Sequence, residues 1–203
     1  SYWNHKRDQA LEIVGVSTDY DEEQKQAILN YEYTKILRKV ERQTLGDCTF
    51  GNIYNKEFTL IKEKKEMIEK ILKVVRSVTS QSEDNCCIFG GFVRDYVRNG
   101  EVLNFLKFKD IDVKCENDGI RSYLQMMLSV DYDITDITSK VTEKKYAHFL
   151  SCTSVMETRT WVICHKIHRE ITILMDAVVD AKSFDSWKRV NNYLCDFDVN
   201  QLY

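Results

Sequence analysis

A chain of 203 residues with 43% hydrophobic and 30% charged content can bury a sizeable core, as one domain or as a catalytic domain with a helical extension. A net charge of −3, spread evenly (14 Lys/Arg and 15 Asp/Glu in residues 1–84, 15 and 17 in residues 85–203), leaves no basic footprint for nucleic acid, and no run of 18 apolar residues offers a membrane span. Seven cysteines without a CxxC pair argue against a zinc ribbon or a disulfide framework; with an N-terminus lacking any signal-type apolar stretch, they predict free thiols in a cytoplasmic or other reducing compartment, not secretion.

Asp21 to about Thr44 carries apolar residues at helical spacing, among them Ala27, Ile28, Tyr31 and Val40. Gly46-Asp47 and Gly51-Asn52 predict loop. Phe58 to Val78 predicts a second helix, with Met67, Ile68, Ile71, Leu72, Val75 and Val78 as its stripe. Residues 1–84 thus read as a mostly helical N-terminal extension that packs against a sheet or offers a surface to a protein partner. A polar turn over 81–85 leads into residues 85–203, the candidate catalytic head. Cys86-Cys87-Ile88-Phe89 has the character of a short buried strand, and Gly90-Gly91 follows it. Phe92 to Arg98 suits a helix, ended by Asn99-Gly100, and 101–109 a loop.

Asp110-Ile111-Asp112-Val113-Lys114-Cys115 alternates as a half-exposed strand does. Residues 119–130 predict helix. Asp131-Tyr132-Asp133 has the start of a calcium loop, but Asp136 and Thr142 stand where glycine and glutamate are needed. Thr158–Ile167 and Ile171–Val179 predict two strands of a hairpin turning at His168-Arg169-Glu170. Cys164, His165 and His168 flank that turn and have no second ligand pair at zinc spacing. Ser186 to Tyr203 returns to helix or loop.

The acidic residues carry the chemistry. On a strand, residues i and i+2 share a face about 6.6 Å apart, so Asp110 and Asp112 project together while Ile111 and Val113 point the other way. Asp176 stands alone in Ile173-Leu174-Met175-Asp176-Ala177-Val178-Val179, where an aspartate is costly unless paired or bound to metal. Three carboxylates fit hard divalent cations, which can clamp the attacking and leaving oxygens of a phosphoryl centre. Gly90-Gly91, between a strand and a helix start, allows backbone N–H groups to approach an anion. Arg94 and Asp95 suit either a structural pair or substrate contact, and Tyr31, Tyr33 and Tyr96 either base stacking or plain packing.

Gly90-Gly91-Phe92-Val93-Arg94-Asp95 followed by Asp110-Ile111-Asp112 resembles the head domain of the polymerase-beta-like nucleotidyltransferase superfamily. The nearest form is that of tRNA CCA-adding enzymes and bacterial poly(A) polymerases, whose pattern runs GGxVRD and then DxD. Asp196-Phe197-Asp198-Val199-Asn200-Gln201-Leu202 is similar to that family's RRDFTINAL segment at Asp196, Phe197, Asn200 and Leu202. The resemblance covers about residues 65–203. Its departures are the 18 residues between Gly91 and Asp110, and Leu194-Cys195 where the family has paired arginines. The proline-free composition, rich in Lys, Ile, Asn and Tyr, is similar to that of nucleotidyltransferases of large DNA viruses.

The resemblance implies an α+β fold: a small, mixed, twisted sheet of the nucleotidyltransferase type, with helices packed on one side. It implies Mg²⁺ or Mn²⁺ on Asp110 and Asp112, with Asp176 where the family has an acidic strand residue as the third ligand, and a nucleoside triphosphate near Gly90 and Gly91. Arg94, Asp196 and Asn200 are candidate nucleotide contacts, Asp196 and Asn200 suiting a helix cap equally well. The expected activity is template-independent addition of nucleotides, AMP from ATP first, to an RNA 3′ end. Open beside it stand a single nucleotidyl transfer to a protein, tRNA or small molecule, as in toxin-like relatives, and a non-catalytic partner subunit that keeps the fold.

Overall fold

The computed structural model describes residues 20–32, 50–82, 84–99, 105, 108–138 and 157–180. Helix α1 (residues 22–32) begins where Asp21 and Gln24 bond reciprocally: the Gln24 N–H donates to Asp21 Oδ1 at 2.8 Å and the Asp21 N–H to Gln24 Oε1 at 2.9 Å. This capping box satisfies two end donors that the helix cannot satisfy itself. Helix α2 runs over Phe50–Gln81, 32 residues. It starts earlier than its apolar stripe predicts, and Gly51-Asn52 lie inside it, not in a loop. In a first turn the N–H groups lack intrahelical partners anyway, so helix-breaking residues cost little there. The helix stops where Ser82 folds back, its N–H and Oγ both donating to the Val78 carbonyl at 3.0 and 2.6 Å.

The remaining elements are β1 (Cys87–Phe89), α3 (Gly91–Asn99), β2 (Asp110–Cys115), α4 (Gly119–Leu128), β3 (Tyr132–Asp136), β4 (Glu157–His165) and β5 (Thr172–Val179). The five strands form one mixed sheet in the order β1-β2-β5-β4-β3. Only the β2–β5 pair is parallel. A parallel pair needs a long crossover, and the chain from Glu116 to Ile171 supplies it, laying down α4, β3 and β4 on the way. The protein is therefore α+β. The predicted β4–β5 hairpin is present, two residues shorter at the turn on β4 and with Cys164 and His165 buried. Strand β3 was not expected; Tyr132-Asp133-Ile134-Thr135-Asp136 pairs antiparallel with β4.

One face of the sheet carries the main core. Ile111, Val113, Ile163, Ile173 and Met175 are fully buried there against Met67, Ile68, Ile71, Val74 and Val78 of α2, Phe92 of α3 and Ile120 and Leu124 of α4. Each fully buried aliphatic side chain contributes about 1.5–3 kcal/mol. Lys64 enters this packing from α2 and donates through Nζ to the Thr172 carbonyl at 2.6 Å, which satisfies its buried head.

The expectation of helices on one side of the sheet holds for α3 and α4, with α2 of the N-terminal extension packed beside them, and the extension's other helix, α1, covers the opposite face. Ala27, Ile28 and Tyr31 of α1 pack with Val162 and Leu174 on the opposite face, because those strand positions are also apolar and need cover. The Gln24 side-chain amide, donating to the Asp136 carbonyl at 2.8 Å, ties α1 to the end of β3. No helix among the described residues is long and apolar enough to cross a membrane. The expected helix beyond residue 32, the loop at Gly46-Asp47, most of the 101–109 loop and the 186–203 tail lie outside the described residues.

Candidate functional site

The β2–β5 register decides where the acidic residues meet. Asp112 stands directly opposite Asp176, and Asp110 opposite Leu174. Ile111, Val113, Met175 and Ala177 face the main core. Strand alternation therefore turns Asp110, Asp112 and Asp176 together to the other face, at the centre of the sheet. Asp110 is exposed, Asp112 half-buried, and Asp176 only 9% exposed.

Asp176 is held by its other neighbour strand. Thr160 of β4 is its register partner, and the buried Thr160 hydroxyl donates to Asp176 Oδ1 at 2.6 Å. A hydrogen bond to a charged group is worth about 1.5–3 kcal/mol. It answers part of the desolvation cost that makes an aspartate in an apolar strand improbable. Sequence reasoning missed Thr160, since only the register 16 residues back along the chain brings it to Asp176.

Two further side chains on this face were not assigned to the site. Tyr31, from α1, is buried, and its hydroxyl donates to the Lys109 carbonyl at 3.4 Å, one residue before Asp110. Burial, then the negative charges of Asp110, Glu32 and Asp176, push its pKa well above the usual tyrosine range, so the hydroxyl stays a neutral donor beside the carboxylates. Its burial leaves no room for the base stacking considered above, whereas Tyr96 is exposed and Tyr33 lies outside the described residues. Lys114 follows Asp112 by two residues on the same strand and is 1% exposed. It places a lysine on the same face as the carboxylates, opposite Val178 on one side and Cys87 on the other.

The diglycine bend closes the other flank. Phe89 at the end of β1 pairs with Asp112, and Gly90 turns the chain with φ +80° into α3, which begins at Gly91. Only glycine adopts that conformation without strain. Space also requires it: a Cβ on Gly90 would lie 3.2 Å from Asp112 Oδ2. The bend is thus pressed against the carboxylate row. Gly90→Ala is expected to cost about 1–2 kcal/mol from the left-handed backbone alone, read as a melting temperature lowered by roughly 3–6 °C. An unchanged melt would show that the bend is not held there. Arg94 pairs with Asp95, Nε to Oδ1 at 2.9 Å, a contact within α3 that fits the structural alternative.

The structure thus brings Asp110, Asp112, Asp176, Gly90 and Gly91 to one region, with Arg94 on the first turns of the adjoining helix. Asp196 and Asn200 lie outside the described residues. Among the described residues no three His, Cys, Asp or Glu side chains stand close enough together to hold a metal ion as placed. The carboxylates are a donor set aligned by register, not a closed cage. Their chemistry, hard oxygens beside a cradle that a Cβ on Gly90 would fill, nonetheless suits a divalent cation. No family model matches the chain, and neither does any curated protein or solved structure.

Proposed function

We propose that the face bearing Asp110, Asp112 and Asp176 belongs to a metal-dependent nucleotidyltransferase of the polymerase-beta-like type, which adds nucleotides, AMP from ATP first, to an RNA 3′ end without a template. The observation that carries this reading is the β2–β5 register, which sets Asp112 against Asp176 with Asp110 beside them, next to a glycine bend packed on Asp112.

Asp110, Asp112 and Asp176 would hold Mg²⁺ or Mn²⁺, which when bound supplies charge neutralisation for the attacking and leaving oxygens. A bound cation would offset the repulsion among three like charges on one face. Gly90 and Gly91 offer backbone N–H groups to the triphosphate at the N-terminus of the nine-residue helix α3. Asp176, oriented by the Thr160 hydroxyl on Oδ1, accepts the proton of the attacking hydroxyl. Tyr31 and the α1 cover keep water from one side of the row. The residues otherwise orient and stabilise, as nucleotidyl transfer demands.

The even charge along the chain favours a second reading, transfer of one nucleotidyl group to a protein, tRNA or small molecule. The full chain, incubated with Mg²⁺ or Mn²⁺, each labelled nucleoside triphosphate in turn and a panel of RNA and protein acceptors, separates them. Ladders of extended RNA are expected. A single labelled addition would replace the first reading by the second, and no incorporation on any acceptor would leave a non-catalytic partner subunit.

A further inference from the structure

The edge of the sheet holds two thiols whose geometry has no part in the reading above. Cys86 immediately precedes β1 and Cys115 closes β2. The β1–β2 ladder sets Cys87 opposite Lys114, so one more residue along it brings Cys86 opposite Cys115. Both are buried and both are free thiols, and their sulfurs lie 3.0 Å apart. A disulfide bond is about 2.05 Å long, so an approach of about 1 Å would join them. The backbone at Cys86 favours this. Its N–H donates to Thr79 Oγ1 at 3.2 Å and is not spent on Cys115. Antiparallel residues that exchange no backbone bonds have Cα atoms about 4.5 Å apart, inside the range of about 4.4–6.8 Å that disulfides span.

We propose that Cys86 and Cys115 form a reversible disulfide that staples the edge strand β1 to β2, made by exchange with a small-molecule disulfide such as glutathione disulfide. Cys86 is the more accessible thiol, 8% exposed against 0% for Cys115. Its thiolate attacks one sulfur of glutathione disulfide and releases one glutathione thiolate. The Cys115 thiolate then attacks the Cys86 sulfur of the mixed disulfide and releases the second glutathione. The protein loses two electrons and two protons, and glutathione disulfide is reduced to two glutathione thiols. The hydrogen bond with Cys115, then burial, holds the Cys86 thiol protonated well above the ordinary cysteine range. Reaction therefore runs through opening of the three-residue edge strand and is slow. Once formed, the staple fixes the strand that ends at Phe89 and delivers Gly90 to Asp112.

The test uses the folded full chain held with glutathione disulfide at mildly alkaline pH, then blocked with a maleimide, because seven cysteines compete. Intact mass is expected to show loss of two hydrogens. A non-reducing peptide map is expected to join the Cys86-Cys87 peptide to that of Cys115, reversibly with dithiothreitol. Cys87→Ser should keep the link, while Cys115→Ser should lose it and retain a glutathione adduct on Cys86. The oxidised chain should melt roughly 5–10 °C higher. A link made through Cys87, a lasting glutathione adduct on Cys86 in the unmutated chain, or no oxidation of this pair would each overturn the proposal.

Discussion

Asp110→Ala combined with Asp112→Ala is expected to abolish nucleotide labelling, by at least about 10³-fold, while the protein stays folded. The loss follows from the proposed role: two of the three carboxylates on that face vanish, and Asp176 alone would hold a cation only weakly against water. The retained fold follows from placement. Asp110 is exposed and Asp112 only half-buried, and neither faces the core formed by Ile111, Val113 and Met175. The β2–β5 ladder uses their backbones and not their side chains. Thermal melts should therefore stay within about 1–2 kcal/mol of the unmutated chain, and far-ultraviolet circular dichroism should be unchanged. Full labelling by a folded double variant would move the chemistry elsewhere. A variant that unfolds would instead show that these carboxylates hold the sheet together, against the exposure seen here.

What could be read from the chain and what could not divide along a physical line. The stripe of α2, the alternation of Asp110 to Cys115 and the apolar runs of β4 and β5 are local patterns, and the elements appear where those patterns lie. Local signals misled at Gly51-Asn52, whose turn chemistry counts for little inside the first turn of a 32-residue helix. They were too weak at β3, a five-residue strand in which Tyr132 and Ile134 do alternate with polar residues but two aspartates, poor strand formers, lower its strand propensity. Pairing is a different kind of information. That Asp112 meets Asp176 depends on a parallel register between residues 64 positions apart, set by crossover and core packing. The same holds for the Thr160 hydroxyl on Asp176 and for Cys86 against Cys115. A strand's alternation says that a residue faces outward but not what covers it. The amphipathic α1 could have packed on either face, and only Val162 and Leu174, apolar on the carboxylate side, show why it lies there.

The same limit hid the residue whose loss should cost the most stability. Asp84 sits in a stretch that reads as a polar turn, yet it is 1% exposed. Its Oδ1 accepts the N–H groups of Glu116 and Asn117 at 3.0 and 2.9 Å, and its Oδ2 accepts that of Gly119 at 3.2 Å. Asp118, the residue placed to cap α4, makes no capping hydrogen bond. Asp84 does that work from 35 residues away, and its charge also suits the positive end of the helix. A Cβ on Gly119 would lie 3.2 Å from Asp84 Oδ2, so the glycine leaves room for the carboxylate. Asp84→Ala strips three N–H groups of their acceptor at once. Orphaned buried donors cost about 1–3 kcal/mol each, and partial rehydration of the exposed turn brings the total to about 3–4 kcal/mol. The melting temperature should fall by roughly 10 °C. Asp84→Asn should fall between, because one amide oxygen can still serve Glu116 and Asn117 while its NH₂ group confronts the Gly119 donor. Hydrogen exchange should show the loss at the Glu116, Asn117 and Gly119 amides before the rest of α4. If Asp84→Ala melts within about 1 kcal/mol of the unmutated chain, the turn into α4 is held by its own backbone and not by this carboxylate.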